Sequence, residues 1–236
     1  MNTAAKAREV QQRLEQVFRE RPRKPRLEAV EELVSTILSQ NTNDNLRDQA
    51  FSRLRQRFPT WEQVRDAPVE EVAEAIQIAG LNQHKAPAIQ RALRRISEER
   101  GELSLEFLRE VSVPEAKAWL TSIKGVGPKT AAIILLFALD MPAFPVDTHI
   151  HRVTMRLGLI PAKTSREKAH ELLEALLPPP AYYAAHLNLI RHGREVCQAR
   201  RPRCEVCILR DLCDHFRDVL HSPLVPARAS ARVPRA

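Results

Sequence analysis

The chain has 236 residues, with 37 Lys and Arg against 29 Asp and Glu, a formal net charge of +8. This length is ample to bury a core in one large or two intimate domains, and 44% hydrophobic with 28% charged residues is an ordinary globular balance. Met1-Asn-Thr-Ala-Ala-Lys leads straight into a charged amphipathic segment, so no secretory leader is expected, and the longest apolar run, 131–139, is too short to span a bilayer. The expectation is a cytoplasmic, nucleoid-associated protein with no membrane partner, and the basic balance points to a polyanion, nucleic acid first.

Helical periodicity dominates along the chain. Val10, Leu14, Val17 and Phe18 make one face of a first helix, and Leu27, Val30, Leu33, Val34, Ile37 and Leu38 make the face of a second. Ile89, Leu93 and Ile96 fit a helix rising from a turn at Gly80. No segment alternates convincingly as a strand does, so the fold class reads as all-α, with short loops marked by Pro and Gly. Composition shifts near Met141-Pro142, where a second helical group begins. From Ser222 the Pro-, Ala- and Arg-rich end has no apolar period, and residues 222–236 read as a disordered basic tail.

Two of the six glycines, Gly125 and Gly127, stand in Ile-Lys-Gly-Val-Gly-Pro-Lys-Thr-Ala, residues 123–131. Glycines there permit positive φ and close approach of the backbone to a partner. Pro128 suits a first helical position, so the segment reads as helix, tight turn, helix, with N–H groups facing outward at a helix start. Such an arrangement binds phosphate, although a plain helix–helix turn has the same outline. Lys129 falls in the first turn, where the helix field disfavours the cation and favours the neutral amine that a nucleophilic lysine needs. A simple phosphate contact is the other use of a lysine at that place.

Further on, Asp147 in Phe-Pro-Val-Asp-Thr-His-Ile-His precedes an amphipathic segment carrying Ile150, Val153 and Leu157, and so is placed as an N-cap. A carboxylate held by helix N–H groups also stays ionised and can stabilise a cation. His149 and His151 lack a surrounding ligand set and read as packing or hydrogen-bonding residues.

All four cysteines lie within residues 197–213, as Cys197, Cys204, Cys207 and Cys213. Four thiolates suit zinc or an iron–sulfur cluster; only one close pair, Cys204 and Cys207, is present, and this spacing favours a [4Fe–4S] cluster. Nothing suggests the oxidising compartment a disulfide would need. Arg200, Arg201 and Arg203 fall between the first two cysteines, in a loop a metal centre would pin at both ends and present to phosphates.

In combination, the hairpin segment, Pro-Val-Asp-Thr-His-Ile-His-Arg-Val (145–153) and the stretch from His192 to Cys213 resemble the endonuclease III family of helix-hairpin-helix DNA glycosylases. Leu38-Ser39-Gln40-Asn41-Thr42 and Gly80-Leu81-Asn82 extend the resemblance, which runs from about Val30 to Cys213. It implies two helical domains with a DNA cleft between them: a central domain, 23–141, and a cluster domain made of 1–22 with 142–221. It implies a bifunctional glycosylase and AP lyase of base excision repair, a likeness in which Lys129 attacks C1′ and Asp147 assists. The partner would be double-stranded DNA carrying a damaged base or abasic site, bound by a monomer. Leu81 matches the family's apolar wedge, Gln40 or Asn41 its polar plug, and Gly125, Gly127 and His149 join the DNA-facing set with the three arginines. Oxidised pyrimidine is the expected substrate. Alkylated purines or mismatched bases stay open, as does a non-catalytic cluster-bearing binder, because the base-selecting residues are not readable and Pro128 and Asn41 depart from the family's usual arginine and glutamine.

Overall fold

The structure, a computed structural model, describes residues 1–18 and 26–221. Among them every regular element is helical, as the periodicity requires. The basic tail expected at 222–236 and the expected domain boundary at residues 22 and 23 lie outside the described residues.

Helix α1 (Thr3–Phe18) buries Ala7, Val10, Leu14 and Phe18. Val17, expected on the same face, is exposed: it stands at the edge of that stripe in the last turn, where the helix surface curves into solvent. Helix α2 (Ala29–Ser39) buries Val30, Leu33, Val34, Ile37 and Leu38, while Leu27 precedes the helix and is only half-buried. Helix α2 packs on α3 (Asp44–Arg57), α6 (Asn82–Arg100) and α8 (Pro128–Ile133), while α4 (Trp61–Asp66) and α5 (Val69–Ala75) pack on α6 and α7 (Val113–Ser122) packs on α8. Their buried residues form one continuous apolar core, from Ala29 to Ala143. Each fully buried Leu or Ile there contributes about 1.5–3 kcal/mol by leaving water.

A second core draws α1 onto α9 (Thr148–Arg156), α10 (Arg166–Leu176) and α11 (Tyr182–Glu195), with Phe144, Val146 and Leu209 between them. Helix α12 (Asp214–His221) follows the last cysteine. Two ion pairs hold α1 to this end of the chain, Lys6 to Asp214 at the start of α12 at 2.8 Å and Arg13 to Asp211 in the cysteine segment at 2.7 Å.

The helix starts are written locally. Asn43 caps α3, Ser165 caps α10, and Thr60 with Gln63 and Ser112 with Glu115 close reciprocal capping boxes on α4 and α7. Helix α8 runs into a π turn, Ile134–Ala138, whose last carbonyls take the Arg109 guanidinium. The two cores meet where the Lys117 ammonium reaches the Glu174 carboxylate at 2.5 Å, and Glu174 also accepts the Phe144 N–H at 2.8 Å. This contact fixes the crossing segment that leads from α8 to α9, and with it the relative placement of the two helix starts described next.

Candidate active site, DNA-facing loops and cysteine centre

The glycine turn is held from beneath by two buried side chains, Ile123 and Val126, whose backbones close the turn through Val126 N–H to Ile123 O at 2.9 Å. Gly125 has φ +103°, a conformation that excludes most side chains. Gly127 does not use positive φ; it is extended at φ −95° and caps α8, with open space within 4 Å of where a Cβ would stand. Its value is therefore room for an approaching partner. Pro128 occupies the first helical position, and Lys129 is exposed in that first turn. The opening N–H groups of any helix lack intrahelical acceptors, so this surface offers donors to an anion.

Asp147 caps α9, its Oδ1 accepting the Ile150 N–H at 2.7 Å. The preceding Phe144, Pro145 and Val146 are buried and leave the carboxylate half-exposed. Behind them lies His186, buried against the rings of Phe137 and Phe144, with Nδ1 hydrogen-bonded to Pro145 O at 2.9 Å. Burial pushes its pKa down to about 4; Pro145 O and the Asp147 carboxylate oppose that, and Lys129 adds to it. The Asp147 and Lys129 charges thus both bear on the His186 imidazole, in opposite senses. His186 was not found from sequence; a histidine in the otherwise apolar Tyr182–Leu187 stretch was the available signal.

His149 is half-buried, its Nδ1 3.1 Å from Arg152 Nη2, and it packs against α11 at Gly193, where a Cβ would stand 2.9 Å from that of His149. Gly193 is what lets α9 and α11 cross so closely. His151 turns the other way, Nε2 meeting Thr164 O at 2.8 Å.

The polar and apolar loop residues lie together. Asn41 and Leu81 both adopt the left-handed conformation, at φ 53° and 50°, and Leu81 is 51% exposed, rare for a leucine in a strained backbone. Gln40 Nε2 donates to Gly125 O at 3.3 Å, joining the first loop to the hairpin. Lys85, in the second turn of α6, reaches into both loops and was missed from sequence. Its position on the stripe that continues through Ile89, Leu93 and Ile96 could have marked it, because a lysine in such a stripe must find buried acceptors.

The four cysteines are free thiols, half-buried, and line one pocket with Arg156, His192, Arg203, Arg210 and His215. Burial, with the three neighbouring cysteines, pushes the Cys207 thiol up to about 11, and burial raises Cys204 and Cys213 as well. Arg156 donates to Cys197 Sγ at 3.3 Å and to the Gln198 and Ala199 carbonyls, so α9 organises the first turn of this loop. Among the described residues no three His, Cys, Asp or Glu side chains converge as a single-ion site would require. Four soft donors around one pocket, unlinked by disulfides, fit a polynuclear iron–sulfur centre. Arg200, Arg201 and Arg203 are all exposed on the segment between Cys197 and Cys204.

The glycine hairpin feeding α8, the capping carboxylate that starts α9 and the cysteine-lined pocket are thus all present in one chain. Residues 34–179 match the HhH-GPD superfamily of base excision DNA repair proteins, and residues 197–213 match the iron-sulfur binding domain of endonuclease III. The chain belongs to that superfamily, within its endonuclease III branch: it is a base excision DNA glycosylase whose cofactor is a [4Fe–4S] cluster. It is 33% identical over 188 residues to endonuclease III of Sulfolobus acidocaldarius, covering 79% of this chain and 82% of the relative. An Arabidopsis thaliana protein named "Putative DNA glycosylase" is 39% identical over 162 residues, and the match spans 69% of this chain but only 55% of the plant protein. Among solved structures, an endonuclease III trapped in a covalent intermediate with DNA superposes with a TM-score of 0.78 at 27% identity, covering 93% of this chain and all of that one. No described helix is long and apolar enough to cross a membrane.

Proposed function

We propose that the protein is a bifunctional glycosylase and AP lyase that removes oxidised pyrimidines from duplex DNA and then cuts the strand. What supports this reading is an exposed Lys129 in the first turn of α8 and a capping Asp147 at the start of α9, in a chain of the endonuclease III branch. A plain DNA binder needs neither group in that pairing.

In this reading the two cores are two helical domains, 23–141 and 1–22 with 142–221, and the duplex enters between them. The damaged nucleotide leaves the stack, because its reacting carbon is unreachable inside a duplex, at a cost of a few kcal/mol. Leu81 fills the vacated space as the wedge and Gln40 or Asn41 as the plug. Gly125, Gly127 and His149 line the backbone track. The Lys129 Nζ lone pair forms a bond to C1′ as the N-glycosidic bond breaks, and the base departs with a proton. Asp147 stabilises the positive charge that develops on the sugar. Ring opening gives an imine between Lys129 and the sugar; loss of a C2′ proton breaks the C3′–O bond, and water then hydrolyses the imine to free Lys129. The relative trapped as a covalent intermediate with DNA supports this route.

Cys197, Cys204, Cys207 and Cys213 would hold the cluster, which supplies a structural staple when bound. Their loop then presents Arg200, Arg201 and Arg203 to phosphates in fixed geometry. The protein acts as a monomer on nucleoid DNA in the cytoplasm, in keeping with its charge of +8. A panel of duplexes tests the assignment. One thymine glycol should be excised with strand scission while a methylated adenine or a T·G mismatch is left intact, and the opposite preference would overturn the substrate reading.

A further inference from the structure

Lys85 is 3% exposed, and its acceptors among the described residues are two backbone carbonyls and a hydroxyl. Its Nζ donates to Leu38 O at 2.8 Å, Thr42 Oγ1 at 2.9 Å and Ala79 O at 2.9 Å. Burial alone pushes its pKa down, yet three acceptors claim all three ammonium protons, so the charged form is the one that satisfies the site. Two of the acceptors are carbonyls in the last turns of helical segments, α2 and the 3₁₀ turn Gln77–Ala79, where a cation is favoured.

What these acceptors flank is informative. Leu38 and Thr42 bracket Gln40 and Asn41; Ala79 is two residues before Leu81. The Thr42 hydroxyl also hydrogen-bonds Ala79 O, closing a triangle of Lys85, Thr42 and Ala79. Backbone bonds anchor the same corner: the Lys85 N–H meets Leu81 O at 2.9 Å, and Asn82 Nδ2 ties the start of α6 to Ala73 O at 3.0 Å. Both loop tips sit at positive φ, conformations that persist only where the surroundings over-determine them.

We propose that Lys85 is a positioning residue that locks the 40–42 loop and the 80–82 loop into one unit, so that the plug and the wedge enter the duplex together and in register. The proposal rests on the reading of those loops as gap-filling elements and assigns the part that couples them. The Gln40 bond to Gly125 O extends the unit to the hairpin, so the sequence-remote loops that meet the DNA share one polar network.

The test uses the full-length, cluster-loaded protein. Thr42→Val removes the hydroxyl that Lys85 and Ala79 O share and keeps the side-chain shape; Thr42→Ser restores the hydroxyl; Lys85→Met removes the ammonium. The first readout is amide hydrogen exchange at residues 80–82, which needs no DNA. Thr42→Val should speed it by about tenfold or more and Thr42→Ser should return it to the wild-type rate; an unchanged rate in Thr42→Val overturns the coupling. The second is the single-turnover excision rate of a damaged base, compared between a normally paired lesion and the same lesion unpaired in a bulge. Thr42→Val and Lys85→Met should slow the paired lesion by about tenfold or more and the unpaired one by much less, because the unpaired base is already out of the stack. An equal loss on both duplexes reads as general destabilisation and overturns the positioning role. Failure of the wedge-and-plug reading shows separately, as wild-type protein that gives no fluorescence rise from 2-aminopurine placed opposite an abasic analogue.

Discussion

Asp147 has two jobs in this account, helix cap and reacting-site carboxylate, and a pair of substitutions separates them. Asp147→Ala removes the Oδ1 that accepts the Ile150 N–H at 2.7 Å. Loss of such a cap costs about 1 kcal/mol. For a protein of this size that is a fall in Tm of about 2–4 °C. Asp147→Asn keeps a carbonyl oxygen in the same place and forfeits only the charge at the helix start, at the low end of about 0.3–1 kcal/mol for a half-exposed group, hence about 1 °C. For base excision the two variants should converge, because neither carries a carboxylate to stabilise positive charge on the sugar, and each should lose about 10²–10⁴-fold in single-turnover rate. The assays are thermal unfolding followed by far-ultraviolet circular dichroism and single-turnover release of thymine glycol. A fast Asp147→Asn enzyme would reduce Asp147 to a cap, and an Asn variant as unstable as the Ala variant would refute the capping argument.

Other consequences are equally concrete. Leu81 holds φ 50° at 51% exposure, so Leu81→Gly should keep or raise Tm by relieving about 1 kcal/mol of backbone strain, yet lower excision from a paired lesion tenfold or more. A variant that excises at the wild-type rate would remove Leu81 as the wedge. If Arg200 and Arg201 each neutralise one phosphate, replacing both with Ala should reduce the slope of log affinity against log salt by about 1.8; an unchanged slope in a titration of duplex binding would exclude them from the interface. In the unfolded chain His186 takes up a proton below its ordinary 6.5, whereas the native pocket resists until about 4. The unfolded state therefore binds more protons in that window and stability falls as pH falls, by on the order of 2 kcal/mol between pH 7 and 5 for this group. Urea unfolding at the two pH values should show that loss shrink in His186→Gln, and an identical pH response in wild type and variant would contradict the burial argument.

Local physics made part of this molecule readable in one dimension. The capping position of Asp147, the first-turn placement of Pro128 and the helix faces of α2 (Leu27 apart) and α6 depend on residues within a few positions of one another, and the structure has them where the pattern put them. The cysteine run was legible because its ligand atoms are close in sequence. Of the two uses open to these glycines, Gly125 takes positive φ and Gly127 open space, a division the sequence does not show because both uses look the same in it. The sequence can flag Lys85 and His186 as polar residues in apolar stretches, but for a different reason it names no partner for either, nor for Arg156 at Cys197. Each joins segments dozens of residues apart, and only the folded packing of α2 on α6, or of α9 on the cysteine loop, tells which buried acceptor a side chain will meet.

The measurement closest to the central claim is borohydride trapping on a duplex carrying one thymine glycol, with wild type, Lys129→Gln and a parallel abasic-site duplex. The account predicts a covalent protein–DNA adduct with wild type on both duplexes, and none with Lys129→Gln. An adduct that persists in Lys129→Gln, or no wild-type adduct on either duplex, would contradict Lys129 as the residue that forms the imine.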